Sequence, residues 1–103
     1  MAEEYTLALP AESLASNFAG LLRCFEEMVG LHLYVIERSA SSCRYAFTSP
    51  LRSKWPEDMV VSADNCVWYV AFYSASRDQQ KLVLTVLTAC LHEAGATALF
   101  EEL

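Results

Sequence analysis

Residues 66–95 constrain the fold more than any other stretch. Cys66-Val67-Trp68-Tyr69-Val70-Ala71-Phe72-Tyr73 is an unbroken apolar run of strand length, rich in β-branched and aromatic residues. Only Ser74, Ala75 and Ser76 separate it from a helical pattern that runs through Leu82-Val83-Leu84 and Val86-Leu87 to Leu91. A strand that is apolar on both faces belongs in the interior of a sheet. A helix with only a thin polar stripe, here Lys81, Thr85, Thr88 and His92, belongs flat on that sheet. Trp68, Val70 and Phe72 are the expected inward set, which turns Val67, Tyr69, Ala71 and Tyr73 to the reverse side. The helix has a legible start: Ser76-Arg77-Asp78-Gln79 reads as a capping box, with Asp78 placed to suit the helix dipole. Gly95 closes it.

The rest of the chain supplies partners for this unit. Glu4 to Leu9 alternates, with Tyr5, Leu7 and Leu9 on one side, and Pro10 ends that strand because proline has no N–H for a ladder. Residues 11–29 predict an amphipathic helix, since Leu14, Phe18, Leu21, Leu22, Phe25 and Val29 share one face. Gly30 is placed to end it. Leu31 to Arg38 reads as a strand, Ser39-Ala40-Ser41-Ser42 as a turn, and Cys43 to Thr48 as the returning strand of a hairpin with Cys43, Tyr45 and Phe47 inward. Residues 49–58 form the one long irregular segment, with Pro50, Arg52, Lys54, Trp55 and Pro56. Met59 to Ser62 predicts a short strand, and Asp64-Asn65 a tight turn into the Cys66 strand. Thr97 to Leu103 alternates again and predicts a final edge strand.

The resulting order is β-α-β-β-(β)-β-α-β. It predicts one α+β domain over 1–103: two layers, a mostly antiparallel sheet, a variant of the ferredoxin-like pattern, and both helices on one face. Whether residues 59–62 join the main sheet is left open by the pattern. In such a sheet the last strand lies antiparallel beside the first. Glu3-Glu4 would then come next to Glu101-Glu102 and crowd four carboxylates at one corner.

Composition narrows the function classes. Apolar residues make up 54% of the 103, which excludes a disordered chain. No apolar run approaches the roughly 18 residues that span a bilayer. Met-Ala-Glu-Glu-Tyr lacks the basic and apolar regions of a secretory leader, so the expected location is cytoplasmic. Cys24, Cys43, Cys66 and Cys90 each sit in an apolar stretch with no C-x-x-C pair, the pattern of reduced, buried thiols. A net charge of −6 disfavours nucleic acid and anionic membranes, whose phosphates require basic surface. It suits a basic protein partner.

No motif for catalysis stands out. Cys90-Leu91-His92-Glu93 collects a thiol, an imidazole and a carboxylate, but positions i and i+2 of a helix point about 200° apart, so Cys90 and His92 do not face one another. The cysteines and the two histidines lack the paired spacing of a zinc finger. The expectation is a protein with no catalytic residues, no cofactor and no metal.

Surface is the better guide. Tyr34, Tyr69 and Tyr73, with His32 nearby in sequence, fall on the sheet face turned away from the helices, and tyrosine is enriched at interfaces. Trp55, flanked by Arg52 and Lys54, has two readings: an interface anchor, or a pin that folds the 49–58 loop across that face. The acidic corner of Glu3, Glu4, Glu101 and Glu102 also has two: a patch relieved by a cationic partner, or two solvated termini.

In size, charge and the closing helix–Gly95–strand that ends in Phe100-Glu101-Glu102-Leu103, the chain resembles the small cytosolic immunity proteins with which bacteria neutralise toxin domains. Phage-encoded inhibitors of bacterial defence enzymes share this general character. The resemblance implies a non-enzymatic inhibitor in a one-to-one complex with a basic toxin or defence enzyme, through acidic and tyrosine side chains. It covers no motif, so no family residue is carried over. The competing class is a homo-oligomeric ligand-binding or small enzymatic α+β domain, a homodimer in the simplest case, with His32, Tyr34 and Tyr73 as polar groups on the open face.

Overall fold

Trp68, Val70 and Phe72 are each at most 2% exposed, while Tyr69 between them is 39% exposed and Tyr73 53%. The strand that carries them lies inside the sheet with one face dry, and the rest of the architecture follows from it. The computed structural model describes residues 3–8, 18–47, 57–64, 67–95 and 100–103. In chain order these form β1 (Glu3–Ala8), α1 (Phe18–Met28), β2 (Tyr34–Arg38), β3 (Ser42–Ala46), β4 (Met59–Asp64), β5 (Val67–Phe72), α2 (Arg77–Glu93) and β6 (Glu101–Glu102).

The six strands make one sheet in the order β2-β3-β4-β5-β1-β6, and every neighbouring pair is antiparallel. Strands β2 to β5 form a meander. The first strand pairs with β5, Leu7 opposite Trp68, and β6 pairs outside β1. The hairpin of a four-stranded ferredoxin-like plan is thus widened here into four consecutive strands. Residues 59–62 belong fully to the main sheet: β4 runs to Asp64 and is paired on both sides.

Both helices cover one face, because one face carries the apolar alternation. Leu7, Cys43, Tyr45, Met59, Val61, Trp68, Val70 and Phe72 meet Phe18, Leu22 and Phe25 from α1, Val29 just past its end, and Val83, Leu87 and Leu91 from α2 in a single core. Ring contacts fix the layers. Phe18 lies on Trp68 at 4.8 Å between centroids, and Phe25 meets the edge of Tyr45 at 6.1 Å. Each buried aromatic pair adds about 0.5–1.5 kcal/mol beyond its area. The capping box forms in full: Ser76 Oγ accepts from the Gln79 N–H at 3.1 Å, and Gln79 Oε1 accepts from the Ser76 N–H at 2.9 Å. Gly95, just past α2, has φ of +99°, a left-handed conformation that a side chain would strain.

Two boundaries differ from the sequence reading. The strand expected from Leu31 begins at Tyr34, since Leu31 and Leu33 pack half-buried against the core as a connection instead. An irregularity between Val35 and Glu37 breaks its register with β3, and Val35, placed opposite buried Tyr45, is 43% exposed. As the outermost strand, β2 has no neighbour on its far side among the described residues, and bulges concentrate at such edges. The closing strand is two residues long in the described part, Glu101–Glu102, at the opposite edge. Leu14 and Ser16 of the expected first helix, residues 97–99 of the last strand, Asn65, Cys66 and Trp55 lie outside the described residues. Among the described residues, no helix is long and apolar enough to cross a membrane.

Candidate partner-binding surface

Strand alternation sets the face opposite the helices residue by residue. Tyr69 sits opposite Thr6 and Ser62, Ala71 opposite Glu4 and Val60, and Val60 opposite Arg44, which is paired in turn with Glu37. The floor is therefore made of small and β-branched side chains. Three exposed tyrosines stand around it. Tyr34 is on the edge strand and 37% exposed, while Tyr69 and Tyr73 lie three strand spacings away, about 14 Å at 4.7–4.9 Å per strand. Tyr34 also contacts His32 edge-on at 4.6 Å between ring centroids. Among the described residues, no helix lies on this side.

Arg44, on β3 next to the edge strand, is a cation of this face that is already occupied. Arg44 Nη2 donates to Glu57 Oε2 at 2.7 Å, and Arg44 Nη1 lies 3.6 Å from Glu37 Oε2. The first of these bonds holds the Glu57 carboxyl below the usual carboxylate range. Sequence reading did not single out this trio. Arg44 was recognisable as the one basic residue in an alternating apolar strand, but its two partners come from separate segments. Asp58 was also missed: its carboxylate accepts from the Phe47 N–H at 2.8 Å and its carbonyl from the Tyr73 N–H at 2.9 Å. It ties the end of β3 to the end of β5 and so fixes where Tyr73 sits.

The acidic corner exists as a meeting of strand ends, but the sheet divides it. Tyr5 lies opposite Glu102 and Thr6 opposite Glu101, and the Leu103 N–H donates to the Glu4 carbonyl at 2.9 Å. Alternation then sends Glu3 and Glu102 to the helix side, and Glu4 and Glu101 to the open face. The first pair lines a depression of about 300 Å³ between the sheet and α2, with Tyr5 and Gln80 at its base and Arg77 and Lys81 on its helix wall. Tyr5 Oη donates to Gln80 Oε1 at 3.3 Å, and Gln80 Nε2 donates to the Ala75 carbonyl at 3.1 Å. Burial first, then the Glu102 and Glu3 carboxylates, push the Tyr5 phenol above its ordinary value. Arg77 and Lys81 line the same depression as this pair, without an ion pair to either carboxylate among the described residues. On the open face Glu4 and Glu101 join Glu37, and among the described residues no cation forms an ion pair with either of them.

Of the residues singled out from sequence, Tyr34, Tyr69, Tyr73, Glu4 and Glu101 share the open face, Glu3 and Glu102 lie on the other, and Trp55 is outside the described residues. No protein-family model matches the chain, and no match was found among curated proteins or solved structures.

Proposed function

We propose that this chain is a non-enzymatic protein-binding domain that captures a basic partner protein on its open sheet face. The observation that supports it most is the coincidence on one face of three exposed tyrosines, a floor of small side chains, and two carboxylates, Glu4 and Glu101, that form no ion pair among the described residues. Tyrosine supplies contact area with a polar tip at low entropic cost. Uncompensated carboxylates supply steering toward positive charge. The net charge of −6 acts in the same sense at longer range.

An inhibitor or immunity-type role in the cytoplasm, against a basic toxin or defence enzyme, is the form of this function that the size and charge favour. The test is recovery of the partner from the native host on immobilised protein, followed by titration of the purified pair. The expected result is a saturable one-to-one complex with a basic protein, weakened by salt. A chain that is a salt-resistant dimer through this face would replace the proposal with the homo-oligomeric alternative. So would a small molecule as the only species retained.

A further inference from the structure

Where α1 crosses α2, three sulfur atoms converge. Cys24 and Met28 are one turn apart on α1, the spacing that stacks two side chains on one helix face. Cys90 faces them from the last third of α2. The Cys24 and Cys90 Sγ atoms are 3.2 Å apart, Cys24 Sγ lies 3.4 Å from Met28 Sδ, and Cys90 Sγ lies 3.9 Å from Met28 Sδ. The triangle runs from core to surface: Cys90 is 2% exposed, Cys24 half-buried, and Met28 50% exposed.

We propose that Cys24, Met28 and Cys90 form a binding site for a single soft monovalent metal ion, copper(I), held by two thiolates and one thioether. The donor set decides the metal class. Thiolate and thioether sulfurs select copper(I) over harder ions, which prefer imidazole, carboxylate or water. Among the described residues, no group of three or more His, Cys, Asp or Glu side chains converges, so the site has no mixed donor set to compete with it. Distances also fit. Metal–sulfur bonds of about 2.3 Å in a trigonal plane require sulfur–sulfur separations of about 4 Å. Two sides of the observed triangle need to open by less than an ångström, about the range of a side-chain adjustment, and methionine has three rotatable bonds with which to do it. Binding exchanges two thiol protons for the ion, both protons leaving to solvent. Met28 lies on the solvent side, where an ion can arrive.

A disulfide between Cys24 and Cys90 is the other chemistry that two close thiols allow, and it has no use for Met28. The methionine therefore separates the two. The test uses the full chain, reduced and anaerobic, titrated with copper(I) in competition with bicinchoninate. Wild type should take one copper per chain and show a thiolate-to-copper charge-transfer band in the near ultraviolet. Cys24→Ser and Cys90→Ser should each lose that one-to-one complex. Substitution of outer-shell residues alone costs about 10–100-fold in metal affinity, so Met28→Leu, which removes a direct donor, should cost about tenfold or more. Met28 is half exposed, so its leucine variant should keep the fold, and circular dichroism is the check. The proposal is overturned if wild type fails to compete for copper, if either serine variant keeps the one-to-one complex, or if Met28→Leu binds as tightly as wild type. It is equally overturned if the two thiols respond only to hydrogen peroxide, forming a disulfide with release of two waters.

Discussion

Phe18 and Trp68 lie with their ring centroids 4.8 Å apart and their planes tilted by 55°, and neither is more than 2% exposed. This contact seats the first described turn of α1 on the start of β5, the strand around which the sheet is assembled. Trp68 is also paired in register with Leu7 on one side and Ala63 on the other. Truncation of Trp68 to alanine should cost about 3–5 kcal/mol. A domain of this size has about 5–15 kcal/mol in total, so urea denaturation should show the midpoint collapsing or the native baseline disappearing. A midpoint within experimental error of wild type would mean that the two layers are held elsewhere.

The open face should behave in the opposite way. Tyr73→Ala and Tyr69→Ala remove side chains that are 53% and 39% exposed, and thermal unfolding should move by no more than the roughly 0.5 kcal/mol typical of surface substitutions. Affinity for the partner should fall in both. Unchanged affinity in both would remove this face as the interface.

The division of the acidic corner yields a sharper contrast. Charge reversal of Glu4 and Glu101 together should slow association with a basic partner and flatten its salt dependence, the signature of lost steering. Reversal of Glu3 and Glu102 should do so less, because these two lie on the helix side with Arg77 and Lys81. Stopped-flow association at two ionic strengths separates the cases. Equal effects from the two pairs would show that only net charge matters.

Tyr45 is fully buried, and among the described residues its hydroxyl has no well-formed hydrogen bond, with only the weakly polar Cys43 thiol beside it. A buried polar group without a partner costs about 1–3 kcal/mol, so Tyr45→Phe should leave stability unchanged or raise it. The same burial pushes the Tyr45 phenol far above its ordinary value of 10.0. The neutral phenol is thus the folded form, whereas the unfolded chain releases this proton once pH exceeds about 10. Stability contributed by this group is complete below pH 10 and declines as pH rises beyond it, since the unfolded state then binds fewer protons. Chemical denaturation at pH 8 and pH 11 should show a smaller alkaline loss in Tyr45→Phe than in wild type.

Ser76→Ala removes the side chain that accepts from Gln79 N–H at the start of α2. The expected cost is about 1 kcal/mol. For a domain of about 100 residues this lowers Tm by about 4–8 °C. Ser76→Asp should recover most of it, because aspartate caps as well and also suits the dipole. Failure of the aspartate variant to recover stability would place the effect outside the cap.

Much of this architecture is written locally. The alternation of Trp68, Tyr69, Val70, Ala71 and Phe72 specifies which side of β5 is dry, because successive strand residues point to opposite faces whatever the neighbours are. The four residues from Ser76 to Gln79 specify the start of α2, because both capping bonds close within one turn. The exposure of Tyr69 and Tyr73 follows from the first rule. By contrast, the late start of β2 was not legible: Leu31 and Leu33 continue the apolar alternation, yet both pack against the core ahead of the strand.

The class of fold, the buried face of the central strand, the start of α2 and the tyrosines of the open face are therefore legible from the chain alone. Each depends on periodicities and bonds that close within a few residues. The relations between distant segments came from the packing of the whole domain. The order of the strands made 59–64 an interior strand. The register of β1 against β6 split Glu3 and Glu102 from Glu4 and Glu101. The crossing of the helices brought Cys24 and Cys90 together across 66 positions of chain. Such contacts are set by how two layers of side chains fill one core, and no local window of sequence contains both partners.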